Sequence, residues 1–293
     1  VVHAHVSIVS PAALGGARAA RRQGLPLVVT FHSVVPQMQL LARVAGDALG
    51  SARWQACFSA VSERVARDVQ PFAPGQSIQT LPNGVDVAFW RGVPPRERHD
   101  GITRLVSVMR LNPKKRPLAL VEMMWRLRAD PRVELRIAGD GPWRKRLVRA
   151  IARAGLSKRV ILLGRLSREE IRALFAASDI FVLPTIRESF GLAALEARCA
   201  GLPVIAMRAS GVSEIVEHDV NGLLAESDAE MAGHVERLIR DDPKRAAIAA
   251  ENRRSTPRYA WPNVLDAHLA LYREAISLVD VAHADEARAA LGA

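Results

Sequence analysis

Cysteine is nearly absent from this chain: Cys57 and Cys199 are far apart and each sits among apolar residues. That excludes a disulfide framework or a cysteine-built metal centre, and points to buried thiols in a reducing, cytoplasmic setting. Aromatic residues are scarce at 5%, and no helix-turn-helix, RNA-recognition or zinc-finger pattern accompanies them, so no nucleic-acid partner is expected. No run of about 18 uncharged apolar residues occurs, which excludes an expected membrane-spanning helix. No charged-then-apolar leader opens the sequence. An Asp-x-Asp pair is missing throughout, so no metal is expected.

What is present is an ordinary globular balance, 49% apolar and 24% charged over 293 residues, enough for two modest domains. The formal charge of +11 suits anionic partners: nucleic acid, phosphorylated ligands or an acidic membrane face. The cations are spread through helical stretches (Arg18, Arg21, Arg22; Arg144, Lys145, Arg146, Arg149). Solvated faces of amphipathic helices account for such a pattern equally well.

Short runs rich in Val, Ile and Leu occupy residues 25–31, 105–108, 133–138, 160–163, 180–183 and 204–207, with helical patterns over 117–128, 142–154, 168–177 and 191–200. Apolar strands alternating with helices predict a parallel sheet covered on both faces, a doubly wound α/β unit. A polar, Pro- and Gly-bearing stretch over 91–103 reads as a linker. Only one or two clear strands precede it. The expected divisions are 1–95, a partial first domain; 96–256, a nearly complete second; 257–276, a closing helix; and 277–293, an Ala-rich tail. The chain opens inside an apparent strand, so a truncated product is the expectation.

The segment Pro184-Thr-Ile-Arg-Glu-Ser-Phe-Gly-Leu-Ala-Ala-Leu-Glu-Ala197 follows an apolar run and opens a helix near Phe190 or Gly191. Free backbone N–H groups at such a start seat phosphate, and Gly191 lets a ligand come close. Glu188 precedes the helix and Glu196 lies about a turn and a half inside it, so both carboxylates can face one cleft and accept hydroxyl hydrogen bonds. Taken alone, the pair also fits an exposed Glu and a capping Glu.

Glu188 to Glu196 matches the E-x7-E motif, and further short motifs occur in order: Leu81-Pro-Asn-Gly-Val-Asp86, Arg110-Leu-Asn-Pro-Lys-Lys115, Ala138-Gly-Asp-Gly-Pro142, Leu163-Gly-Arg165, Ala200-Gly-Leu-Pro-Val204, Gly211-Val-Ser-Glu214 and Asn221-Gly-Leu-Leu224. On these the chain resembles, over residues 1–276, the retaining glycosyltransferases of family 4, which have the GT-B fold. The resemblance implies two Rossmann-like doubly wound domains, the first incomplete here because the family's opening Gly-rich loop is missing. It implies transfer of a hexose from a nucleotide-diphosphate sugar to an acceptor hydroxyl on a glycan, lipid or small molecule. A nucleotide-sugar-binding remnant without turnover is the alternative.

The same resemblance implies that Arg110 and Lys115 hold the diphosphate, that Glu188 is catalytic beside the transferred sugar, and that Glu196 meets the ribose. Ser189, Phe190, Gly191 and Leu192 would cradle phosphate, while Gly164 and Arg165 lie where the base is contacted. His32, in Thr30-Phe-His-Ser33, matches the catalytic histidine, whose imidazolium would add positive charge. His3 and His5 match a His-x-His strand and are read as packing or cleft-lining residues. Retention is described as front-face substitution, with the departing phosphate helping to deprotonate the acceptor. No cofactor beyond the co-substrate is implied. The sequence departs from the family at Met109 and Arg116, where Gly is usual; Arg116 would add charge at the phosphates. The closing helix is expected to pack back on the first domain. The stretch 38–58, with Arg43 and Arg53, also fits an interfacial helix against acidic lipid, giving a peripheral inner-face location. Gly139-Asp-Gly141 lacks the third glycine and the ribose-binding acid of a dehydrogenase.

Overall fold

The computed structural model describes residues 1–7, 10–33, 38–92 and 100–291. The chain forms two compact units, Val1–Gly84 with Arg258–Ala293, and Val85–Pro257.

Unit 1 alternates β1 (Val2–Val6), α1 (Pro11–Arg22), β2 (Leu27–Phe31), α2 (Met38–Leu49), β3 (Cys57–Ala60), α3 (Glu63–Val69) and β4 (Ile78–Thr80). These strands form a parallel sheet in the order β1-β2-β3-β4. β2 is buried along its whole length, as its Leu-Val-Val-Thr-Phe run requires. The sequence showed only β1 and β2; β3 and β4 are short and carry Ser59 and Gln79, so no apolar run marks them. The 38–58 stretch is not one helix: α2 ends at Leu49, a 3₁₀ turn covers Ser51–Arg53, and β3 begins at Cys57. Trp54, buried between them, pulls that stretch into the core.

Unit 2 begins with α4 (Val87–Arg91) and continues β5 (Thr103–Val108), α5 (Pro117–Arg126), β6 (Val133–Ala138), α6 (Arg144–Arg153), β7 (Val160–Gly164), α7 (Arg168–Ala176), β8 (Ile180–Leu183), α8 (Leu192–Cys199), β9 (Val204–Met207), β10 (Gly222–Ala225), α9 (Asp228–Arg240) and α10 (Asp242–Arg254). The strand order is β10-β9-β8-β5-β6-β7, all neighbours parallel. That is the doubly wound arrangement, with its order reversing between β5 and β8. Leu105, Val106, Ile180, Phe181 and Val182 on these two strands are fully buried. On α6, Leu147 and Ile151 are buried while Arg144, Lys145, Arg146 and Arg149 face solvent, so those cations are a solvated helix face. Ser167 and Glu170 form a reciprocal capping box that starts α7.

The division between units falls at Gly84, upstream of the boundary read from the linker, because α4 already belongs to unit 2. Trp90 on α4 packs against Phe175 on α7, ring centroids 5.6 Å apart. Residues 93–99 of the expected linker lie outside the described residues. The closing helix α11 (Trp261–Leu291) returns to unit 1 and runs past residue 276, since no Gly or Pro interrupts the Ala-rich segment beyond it.

Leu271 and Ala275 of α11 are buried with Val28, Cys57 and Leu81, and Tyr272 packs on the same cluster. Both cysteines are buried and free, and burial pushes each thiol up to about 12. Leu271→Ala removes the centre of this seat. We expect it to lower the stability of unit 1 by about 2–5 kcal/mol, read from the midpoint of urea denaturation.

Candidate active site

β5 and β8 are adjacent at the reversal of strand order, and the C-terminal ends of such strands are where doubly wound sheets take their ligands. Two loops meet there. After β5 the chain passes the exposed Arg110, and Asn112 then accepts a hydrogen bond from the Lys115 N–H at 3.0 Å, capping a short 3₁₀ turn, Pro113–Lys115. After β8 it passes Thr185 and reaches Glu188. Lys115 Nζ donates to Glu188 Oε2 across the two loops. Lys114 stands beside this pair, its ammonium held below the usual value by desolvation and then by the charge of Lys115. Among the described residues Arg110 and Arg165 form no ion pair.

Arg116 corrects one expectation. Its backbone is left-handed, φ 54°, which explains why glycine suits the position. Its guanidinium is committed elsewhere: Nη1 donates to Pro184 O at 2.8 Å and to Asp228 Oδ1 at 3.0 Å, and Nη2 to Asp228 Oδ2 at 2.6 Å. A bidentate fork of this kind ties the two loops to α9 and pairs the Arg116 charge with Asp228.

α8 starts at Gly191, where φ is 96° and no side chain caps the helix. A Cβ there would lie 2.5 Å from Val212 Cγ2, so glycine alone fits both the conformation and the space. Leu192 and the next residue thus begin a helix whose first N–H groups have no side-chain acceptor. Phe190 is buried behind this start and Ser189 precedes it. Gly211 N donates to Glu188 O at 2.9 Å, so the turn Gly211–Glu214 braces the loop from below. Glu196, one and a half turns into α8, is largely buried. Burial pushes its carboxyl up to about 7, opposed only by the charge of Arg168.

Gly164 ends β7 at φ 74°, and Arg165 follows it into solvent. Gly164 O accepts from Gly139 N at 2.6 Å. A Cβ on Gly139 would meet Met109 O at 1.9 Å, so this glycine allows two strand-end loops to touch; its role is packing. Met109 itself is buried.

His32 belongs to unit 1, one residue past β2. Its Nε2 is 2.8 Å from His5 Nδ1. His3 contacts Tyr272 Oη (2.9 Å) and Thr30 Oγ1 (2.6 Å), and its ring stacks on His5 at 4.1 Å. Burial first, then the neighbouring His5 and His268, lower the pKa of His32, which disfavours an imidazolium and favours a neutral hydrogen-bonding ring. No group of three His, Cys, Asp or Glu side chains is arranged to hold a metal among the described residues.

The family model of glycosyl transferases group 1 matches residues 95–255, and that of glycosyltransferase family 4 matches residues 1–89. The chain belongs to the group 1 glycosyl transferases, of the family 4 type. A D-inositol 3-phosphate glycosyltransferase from Xylanimonas cellulosilytica is 30% identical over 304 aligned positions, covering 94% of this chain and 72% of that one. Among solved structures, sucrose-phosphate synthase from Thermosynechococcus elongatus superposes with a TM-score of 0.78 at 20% identity, covering 94% and 74% of the two chains. The Anabaena protein HepE in complex with UDP and glucose gives 0.71 at 23% identity, covering 97% and 77%. These likenesses establish the GT-B fold.

In this glycosyl transferase the structure brings Lys115, Glu188, Ser189, Gly191 and Leu192 together on the two loops and the helix start, with Arg110 at the head of the first loop. Gly164 and Arg165 lie at the end of the edge strand β7, and His32 lies in the other unit. Sequence reasoning passed over Lys114 and the brace at Gly211. Both sat inside quoted motifs, but nothing local distinguishes one lysine of a pair or tells a bracing glycine from a binding one.

Glu196 makes a testable demand of this glycosyl transferase. Its folded pKa, about 7, exceeds the ordinary 4.5, so its contribution to stability is full below pH 4.5 and is lost as pH rises through 7. Relative to wild type, Glu196→Gln is expected to gain up to ~3 kcal/mol between pH 5 and 8. Urea denaturation of both proteins at each pH reads this difference; parallel curves would refute it.

Proposed function

We propose that this glycosyl transferase moves a hexose from a nucleotide-diphosphate sugar to an acceptor hydroxyl with retention of configuration and without a metal ion. The observation that carries the reading is the pairing of Lys115 with Glu188 beside an uncapped helix start at the strand-order reversal. A diphosphate placed there accepts from the N–H groups of Leu192 and its neighbour, and takes Lys115 and Arg110 as counter-cations. Glu188, released from Lys115, accepts from hydroxyls of the sugar, and Glu196 from the ribose.

In the chemical step the acceptor oxygen bonds to the anomeric carbon while the bond from that carbon to the phosphate oxygen breaks. The acceptor proton passes to the departing phosphate on the same face. Charge growing on the nucleoside diphosphate is met by the two cations and the helix start, which need no reorganisation at that moment. His32 serves the reaction as a neutral hydrogen-bonding group. The binding of UDP and glucose by HepE supports a donor of this class.

Isothermal calorimetry with UDP and GDP, followed by a donor-turnover assay, tests the reading. Lys115→Ala and Glu188→Ala are each expected to lower kcat/KM by about 10²-fold or more. Unchanged turnover in both variants overturns it, and nucleotide binding without any turnover leaves a nucleotide-sugar-binding protein instead.

Two buried free thiols support a reducing compartment. The exposed Leu40, Leu41 and Val44 on α2, at 58%, 51% and 59%, flank Arg43 and support peripheral contact with an acidic lipid face. Co-sedimentation with phosphatidylglycerol vesicles checks this. We expect binding that Leu41→Glu weakens; equal recovery of both proteins in the supernatant refutes the contact.

A further inference from the structure

His5, read from the sequence as a packing or cleft-lining residue, has no part in the reaction proposed above, yet it touches His32. In β1, His3 and His5 point to one face of the sheet, the face that Thr30 and His32 share, because side chains two apart in a strand lie on the same side. His5 pairs with Thr30 in register, which brings its Nδ1 to 2.8 Å from His32 Nε2. His3 is held at both nitrogens, by Tyr272 of α11 and by Thr30, and Thr30 Oγ1 is itself 2.6 Å from Ser59 Oγ. The fixed His3 ring lies against His5 with an interplanar angle of 28°. His5 is thus oriented from below by a ring that cannot turn.

Two nitrogens at hydrogen-bond distance between neutral imidazoles must share one proton, since each neutral ring has one donor and one acceptor. Burial and mutual repulsion lower His3, His5 and His32 together, which keeps the rings neutral near pH 7. The groups facing them are His268 and Tyr272 on α11, so no carboxylate among these partners favours an imidazolium. If His32 donated through Nε2, its remaining nitrogen would be an acceptor, useless toward a departing phosphate. If His5 donates, His32 keeps an N–H at Nδ1, which bonds no described residue.

We propose that His5 is a positioning residue: its Nδ1–H donates to His32 Nε2, locks His32 as the Nδ1–H tautomer, and so presents a neutral donor for the sugar or the departing phosphate. The inference, tautomer included, rests on the reading of His32 as a reaction-site residue. Second partners of this kind fix which ring nitrogen carries the proton.

Long-range ¹H–¹⁵N correlation spectra of the ¹⁵N-histidine-labelled protein read each ring's tautomer. His32 is expected as Nδ1–H in the wild type and as predominantly Nε2–H in His5→Ala. In turnover, His5→Ala is expected to lower kcat about three- to tenfold, the scale of one neutral hydrogen bond, with donor KM little changed. His5→Asn, whose amide N–H reaches the position of Nδ1, is expected to recover most of that loss and to restore the tautomer. Circular dichroism separates these effects from unfolding. An Nε2–H tautomer for His32 in the wild type, or a tautomer unmoved by His5→Ala, overturns the proposal. Full turnover in His32→Ala would instead overturn the placement of His32 in the reaction, whatever the spectra show.

Discussion

An ammonium and a carboxylate that share the end of a buried sheet cannot both be left bare, and the pairing of Lys115 with Glu188 governs how the loops after β5 and β8 are held. Both side chains are partly withdrawn from water, 25% and 13% exposed, so removing one partner strands the other where solvation is poor. The pair sits on a firm base. Leu111 N donates to Asp140 O and Trp143 N to Leu111 O, at 3.0 and 2.9 Å, so the first loop is anchored to the start of α6. Arg116 then crosses to Asp228 and Pro184 O, an attachment that offsets its left-handed backbone. Backbone and side-chain hydrogen bonds hold both loops, and under the proposed reading the ion pair between them is what an incoming anion exchanges.

The place of these loops follows from topology. In a doubly wound sheet the helices after β5 and β8 leave to opposite faces, so the ground beyond those two strands is left open. The close approaches that build the floor of the crevice require glycine, as at Gly139 against Met109 O. Several glycines in the motifs are thereby explained by backbone contact, and the candidates that remain under the proposed reading are few: the two cations, the two carboxylates and the helix start.

β5 to β9 and α5 to α8 were legible because each is a continuous apolar run or a 3.6-residue pattern, and the ends of those helices fell within two residues of the expected ones, whereas α4, α9 and α10 were not read. β3, β4 and β10 were not, being three or four residues long with no contrast to their surroundings. The site residues were legible only as motifs. Nothing local to residue 116 reveals a partner at residue 228, and nothing in Thr30-Phe-His-Ser33 reveals that His5 lies against the histidine. Charge state was the least accessible: the proton considered for His32 is disfavoured by burial and by two neighbouring rings, His5 and His268.

Burial treats the two carboxylates of the E-x7-E motif differently, and their difference has a chemical use. Glu188 has an ammonium in contact. Glu196 has only the more distant charge of Arg168, whose guanidinium lies 4.2 Å from the Phe89 ring centroid. A carboxyl raised to about 7 by desolvation returns to its charged form when hydroxyl donors replace the water it lost. Under the proposed reading, ribose hydroxyls supply those donors, so nucleotide binding and release of the proton from Glu196 are one linked event. The same burial that favours the protonated form of Glu196 makes the site selective: a ligand lacking a hydroxyl there must leave the carboxyl protonated or carry an unsolvated charge.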